Sequence, residues 1–279
     1  MNIGVTAFLT DLAMAPGAFA VAAEERGYHS LYLPEHTHLP VGSAPPSLVD
    51  GVHLEDYRRS LDPFSALAAA AAVTDRILLG TGIALVAQHD PIVLAKQIAT
   101  IDHLSGGRFV LGMGYGWNSR EAADHGVDFS NRRAVAREKV LCMQALWDQD
   151  EATFEGRWVT LPPSYSWPKP IQRPRVRTLI GGGAGPKLFA AVAEYADGWM
   201  PIGGAGVASS LAELRRAFEA AGRDPRSLHV VPFGTVPNEG KLEHYASLGV
   251  TEVVVRIPSG DADEMRRVLD SYVHFLSPA

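Results

Sequence analysis

Apolar residues in this chain fall into short unbroken runs, separated by longer stretches with a helical period. IGVTAF (residues 3–8) is followed by a helical pattern over residues 16–26, with Pro16 suited to its first turn and Gly27 to its cap. HSLYLPEH is the second run. An irregular stretch rich in Pro, Gly and Ser then covers residues 37–60. Asp62-Pro63 opens an alanine- and leucine-rich helix ending near residue 75, and ILLGTGIALV is the third run. Asp90-Pro91 starts the next helix, which Ser105-Gly106-Gly107 closes before the fourth run, RFVLGMG. A long amphipathic helix spans about residues 131–147. FEGRWVTLPP then reads as a hairpin or an excursion, and the proline-rich WPKPIQRPR as irregular chain leading into VRTLIGGG. Helices at 186–195, 208–221, 239–248 and 262–276 alternate with the runs GWMPI, LHVVPFGT and EVVVRI.

This gives eight strands, each followed by a helix. The strands are continuously apolar, as expected of parallel strands covered on both faces. Eight βα units in 279 residues favour a closed (β/α)8 TIM barrel, which commonly needs ~250 residues, over an open doubly wound α/β sheet. The spacing is uneven only between the fourth and fifth strands. Residues 126–175 therefore read as an insertion on a single domain covering residues 1–279.

Charged residues make up 20% of the chain and its net charge is −6, so no basic surface invites nucleic acid or anionic lipid. Neither a signal peptide nor a membrane span is read from the sequence, and the single cysteine fits a reducing, cytoplasmic setting. Cys142 lies in the apolar helical pattern VLCMQALW and reads as a buried structural thiol.

In a barrel, chemistry sits where strands end. The second strand ends in Glu35, His36 and His38, and an imidazole there can exchange protons near neutral pH. Glu35 is placed to orient that ring or to contact a ligand, or it is simply a solvated loop carboxylate. The third strand gives Gly82-Ile83, Gln88 and His89; the fourth gives Gly112, Gly114 and Gly116, then Trp117 and Asn118. The alternating glycines would leave room for a planar ring, or they simply relieve crowding inside the barrel. Gly181 to Gly185 run into a helix at Pro186. Such a loop is a phosphate cradle through its exposed N–H groups, or only a tight turn. It matches neither a P-loop nor a G-x-G-x-x-G pattern. His36-x-His38 raises a metal site, but the first strand ends in Ala7-Phe8 and the fifth and sixth strand ends offer no histidine, so no catalytic metal is expected.

LYLPEH, the stretch LDPFSALAAAAAVTDRILLGTGIALVAQHDPIVLAKQIATIDHLSGGRFVLGMGYGW, then PKPIQRP, LIGGG and YADGWMP together resemble the bacterial luciferase-like flavin and deazaflavin oxidoreductases. The resemblance covers most of residues 32–201. It implies a (β/α)8 barrel with a flavin-type cofactor at its C-terminal mouth, a small-molecule substrate and a homodimer. It further implies a cofactor contact for Glu35 and a proton-transferring role for His36. Gly82-Ile83 would back the ring through a cis peptide, Gly182, Gly183 and Ala184 would bind phosphate, and Asn118 would lie at the ring's polar edge. Trp117 stands where sugar-phosphate dehydrogenases of the family carry a catalytic glutamate, so it is expected to border a different substrate pocket. The compact length resembles the actinobacterial group using coenzyme F420. The expected activity is therefore hydride transfer between F420 and a small organic substrate. The alternatives are an FMN-dependent monooxygenase using reduced flavin and oxygen, and a non-catalytic cofactor-binding protein.

Overall fold

The computed structural model describes residues 1–45, 52–204 and 206–276. Parallel strands β1 (Asn2–Thr6), β2 (Ser30–Leu33), β3 (Leu78–Thr81) and β4 (Phe109–Met113) alternate with helices α1 (Pro16–Glu25), α2 (Leu54–Arg59), α3 (Pro63–Ala71) and α4 (Pro91–Leu104). After β4 come α5 (Ser119–Asp124), α6 (Arg132–Asp148) and the antiparallel pair β5 (Glu151–Glu155) and β6 (Thr160–Tyr165). The parallel series resumes with β7 (Arg177–Gly181), α7 (Pro186–Tyr195), β8 (Gly198–Met200), α8 (Val207–Ala220), β9 (His229–Val230) and β10 (Phe233–Thr235). It ends with α9 (Glu239–Ser247), β11 (Glu252–Arg256) and α10 (Ala262–Tyr272).

The nine parallel strands hydrogen-bond in the order β10-β11-β1-β2-β3-β4-β7-β8-β9. Its two ends, β10 and β9, are separated in sequence only by Val231 and Pro232. Across that gap Val231 N donates to Trp199 O (2.9 Å) and Val254 N donates to Pro232 O (2.9 Å), so the sheet curls round onto itself. LHVVPFGT is thus one run of sequence broken into two strands, because proline has no N–H for the ladder. The hairpin read from FEGRWVTLPP is present as β5–β6, outside the parallel sheet. Two short helices are not predicted from the sequence: α2 lies within the stretch read as irregular, and α5 follows the glycine-rich loop after the fourth strand. Residues 46–51 of that irregular stretch fall outside the described residues.

Two cores hold the sheet. The larger fills the space between strands and helices, where Phe19, Leu67, Ile98, Cys142, Trp147 and Phe189 are buried. The smaller fills the inside of the curl with Tyr32, Val110, Leu179, Met200, Val231 and Val254. Tyr32 fits there because its neighbour on β3 is Gly80, whose missing Cβ would otherwise stand 2.5 Å from the Tyr32 ring. Asp62, Asp90, Asn238 and Asp261 cap α3, α4, α9 and α10 by accepting from first-turn N–H groups, each worth about 1 kcal/mol. Cys142 is buried, and burial raises its thiol to about 11, which suits packing and not nucleophilic attack. Among the described residues no helix is long and apolar enough to cross a membrane.

The β5–β6 turn is tied to α6 by one carboxylate. Glu138 accepts from the N–H groups of Arg157 (3.0 Å), Trp158 (2.7 Å) and Val159 (3.1 Å). Burial alone would raise its pKa, but these three donors outweigh burial and bring it below the ordinary 4.5. Its contribution is fully present above that unfolded value and is lost as pH falls through the lowered folded one. Glu138→Ala, which strands three backbone donors, is expected to cost about 2 kcal/mol in denaturant titrations at pH 7. The difference from wild type should shrink in acid.

Candidate active site

A cavity opens where β1, β2, β3 and β11 end. Its wall includes Phe8, Glu35, His36, Tyr57, Gly82, Ile83, Trp117, Phe233 and Arg256. It is mostly apolar, and the few polar groups on it are therefore informative.

His36 leaves β2 through Leu33-Pro34 and turns its imidazole to α5. Its Nδ1 lies 3.1 and 3.0 Å from the two carboxylate oxygens of Glu121. Both side chains are buried, 8% exposed for His36 and 1% for Glu121. An ionised carboxylate only accepts, so Nδ1 carries the hydrogen and Nε2 is left to take or give a proton. The rings of Tyr57 and Trp117 stand 5.2 and 5.8 Å from the imidazole, and 6.2 Å from each other edge-to-face. Trp117 thus borders the cavity beside His36.

Asn118 caps the helix that carries Glu121. Its Oδ1 accepts from Arg120 N (3.1 Å) and Glu121 N (3.3 Å), while its Nδ2 is buried with no partner among the described residues. The asparagine therefore sets the direction of α5 and still has a donor to give.

Glu35 is buried, and both of its oxygens are engaged within the protein. Oε2 accepts from Leu85 N (2.6 Å) and Oε1 meets His89 Nε2 (2.7 Å). It is neither a solvated loop carboxylate nor the group that orients His36, whose Nδ1 is held by Glu121. Its carboxylate fixes the loop after β3. That loop begins with the Gly82–Ile83 peptide, which is cis. Ile83 packs over Gly114 and Gly181, whose Cβ atoms would come within 2.7 and 2.8 Å of its side chain. A Cβ on Gly112 would press into the Thr81 carbonyl. The alternating glycines of the fourth strand therefore serve close internal packing, and the space beside Gly112 and Gly114 is not open to a flat ligand.

Gly182, Gly183 and Ala184 do not line the cavity; they continue from Gly181, which touches Ile83. Gly182 has φ +146°, and its carbonyl accepts from Trp199 Nε1 (2.8 Å). The side of Gly183 where a Cβ would stand is open. A second glycine loop, Gly203, Gly204 and Gly206, comes alongside, with Gly206 against Ala184 and α8 starting from it.

His36 and His38 do not share a ligand. His38 Nε2 pairs with Asp124 Oδ2 at 3.0 Å, and Thr37 Oγ1 bridges His38 and His125. Among the described residues no group of three or more His, Cys, Asp or Glu side chains is arranged to hold a metal ion. Arg132, Arg133 and Arg137 of α6 pair with Phe129, Tyr115 and Glu194.

The family model described as luciferase-like monooxygenase matches residues 16–237. The chain belongs to this family. A Mycobacterium tuberculosis (strain H37Rv) protein described as uncharacterized is 43% identical over 268 residues, covering 95% of this chain and 94% of its own. The F420-dependent glucose-6-phosphate dehydrogenase of Kineococcus radiotolerans is 33% identical over 224 residues, covering 75% of this chain and 60% of its own. The same fold is found in the structure of an F420-dependent secondary alcohol dehydrogenase in complex with an F420-acetone adduct. It aligns with TM-score 0.77 at 18% identity, over 98% of this chain and 97% of that one.

Tyr57 and Arg256 on the cavity wall, and Glu121 behind His36, were not singled out in the sequence. Glu121 had a readable signal, because Asn118 followed three residues later by Glu is the spacing of a helix start. Tyr57 had none, since α2 is six residues long and surrounded by turn formers. Arg256 ends β11, a strand-end position of the kind where barrel chemistry sits, but it carries no glycine or histidine signal.

Proposed function

We propose that the protein is an F420-dependent oxidoreductase that exchanges a hydride with a small organic substrate at the mouth of a (β/α)8 barrel. The observation carrying this reading is the buried His36–Glu121 pair, whose imidazole lines an apolar cavity beside the Gly82–Ile83 bend. F420-dependent relatives in sequence and in fold support the choice of cofactor. The residues fit such a group: Ile83 offers an apolar backing, Gly183 has open space, and Asn118 Nδ2 is a buried donor without an acceptor. Ile83 and Gly82 would lie behind the ring, Asn118 would meet its polar edge, and Gly182, Gly183 and Ala184 would hold the phosphate. Glu35 would act one step back, by holding the Leu85 and His89 loop in place.

When bound, the deazaflavin supplies hydride donation or acceptance at C5. The chain's own task is to bind, to exclude water and to handle the accompanying proton. Glu121 holds the Nδ1 hydrogen of His36 and so fixes the ring, leaving Nε2 to hold or move that proton. Tyr57 and Trp117 pack around the imidazole and keep bulk water from it. Trp117 also occupies the loop position at which the sugar-phosphate dehydrogenases carry their glutamate. The carboxylate this chain does bring, Glu121, is engaged with His36, which supports a substrate other than a sugar phosphate.

Anaerobic incubation of the protein and reduced F420 with a panel of ketones, aldehydes and activated alkenes tests the reading. The expected result is return of the oxidised cofactor's fluorescence with at least one class. Oxygen uptake with reduced FMN and no turnover of F420 would replace it with the flavin monooxygenase reading. F420 binding without turnover of any panel member would favour a non-catalytic carrier.

A further inference from the structure

A second cleft lies where strands begin, on the face opposite the cavity. Arg177 opens β7, Asp197 directly precedes β8, and His229 opens β9; Arg173 and Arg175 precede β7, and Arg223 follows α8. Four guanidinium groups thus share a cleft with one carboxylate, in a chain whose net charge is −6. That carboxylate is already committed. Asp197 Oδ1 accepts from Arg175 (2.8 Å) and Arg223 (3.0 Å), and Oδ2 accepts from Thr178 N (2.9 Å). Arg223 also donates to the carbonyls of Val192 and Ala193, which fixes it against the end of α7.

The other donors are less committed. Arg173 bonds to the Pro170 carbonyl (3.0 Å). Among the described residues Arg177 has no carboxylate in ion-pair range, and Arg175 Nε is buried without an acceptor. Like charges gathered in a partly enclosed cleft repel more strongly than they would in open water. The imidazole of His229 responds to this field: burial, and then Arg177, lower its pKa, while Asp197 acts in the opposite direction.

We propose that this cleft binds a small multivalent oxyanion of the phosphate class, gripped by Arg173 and Arg177 with Arg175 and Arg223 behind them. A guanidinium fork matches two oxygens of such a group, and phosphate carries enough charge to answer several forks together. The site is independent of the cavity at the strand ends and of any cofactor bound there. The same chemistry is offered by free pyrophosphate and by the diphosphate of a nucleotide, and the two are separable by titration.

Isothermal titration of the full chain with inorganic pyrophosphate, and separately with ADP, tests the site. Binding of at least one with Kd below about 1 mM is expected. It should weaken about tenfold in Arg177→Ala and again in Arg173→Ala, as expected when a charge-assisted contact is removed. Arg173 is exposed, so its variant keeps the test alive if Arg177→Ala folds poorly. Arg216→Ala, an exposed α8 arginine outside the cleft, should bind like wild type. Pyrophosphate binding alone would assign the site to the free anion; ADP binding more tightly would assign it to an ester. No binding of either, unchanged binding in the two cleft variants, or equal weakening in Arg216→Ala would overturn the proposal.

Discussion

His36→Ala is expected to lower kcat by about 10²–10⁴-fold while F420 affinity stays unchanged, as for loss of a positioned acid or base. The side chain is 8% exposed and stands at the cavity wall, with its Nδ1 held by both oxygens of Glu121. Alanine removes the proposed proton carrier without touching Gly82, Ile83 or the Gly182–Gly183 loop, so binding and turnover should separate. Glu121→Gln is the companion variant. It keeps the shape but not the charge, and turnover should fall at least about tenfold with KM unchanged, by the logic of an orienting carboxylate behind an imidazole. Glu121→Asp should recover part of that loss if orientation is the role, whereas a purely structural role would show as lost thermal stability with turnover intact. Steady-state kinetics with melting curves on the three variants decide it. Wild-type turnover in His36→Ala, with cofactor still bound, would remove the residue from the mechanism.

Gly112→Ala is expected to destabilise the fold by about 3 kcal/mol or more, at the upper end of overpacking costs. Its Cβ would press into the backbone carbonyl of Thr81, with the Met200 methyl 3.2 Å away. Backbone on an adjoining strand cannot swing aside as a side-chain tip can. That carbonyl also belongs to β3, immediately before Gly82, so the damage should reach the cavity. Gly106→Ala is the comparison: it has open space at the Cβ and only its φ of +66° to lose. It should cost about 1 kcal/mol. Chemical denaturation of the two variants checks the difference, and equal costs would count against the packing account of the strand glycines.

Much of the architecture was legible because its signals are local. Asp62-Pro63 and Asp90-Pro91 mark helix starts that the structure places at α3 and α4, with both aspartates capping. The apolar runs became parallel strands because burial on both faces leaves no polar alternation. Pro232 was visible in the sequence, yet its effect on LHVVPFGT depends on which neighbours need an N–H there, which only the assembled sheet supplies. The glycines of GMGYG were legible as unusual but not as to cause. Whether an absent Cβ makes room for a ligand or for Thr81 and Ile83 is set by residues some 30 positions away. For the site, His36 and Trp117 were readable from strand-end positions. The partner that defines His36 lies 85 residues on, and its short helix gave only the Asn118–Glu121 spacing as notice. Glu35 shows the opposite limit: its place was evident, but its engagement with Leu85 N and His89 is a tertiary fact.

Binding of F420 and FMN side by side tests most directly whether the cavity and its adjoining glycine loops hold a deazaflavin, as proposed. Titrating the purified chain with each, followed by cofactor fluorescence at matched ionic strength, should give F420 binding at least about tenfold tighter than FMN, a difference of about 1.4 kcal/mol. Tight FMN binding with no detectable binding of F420 would contradict it.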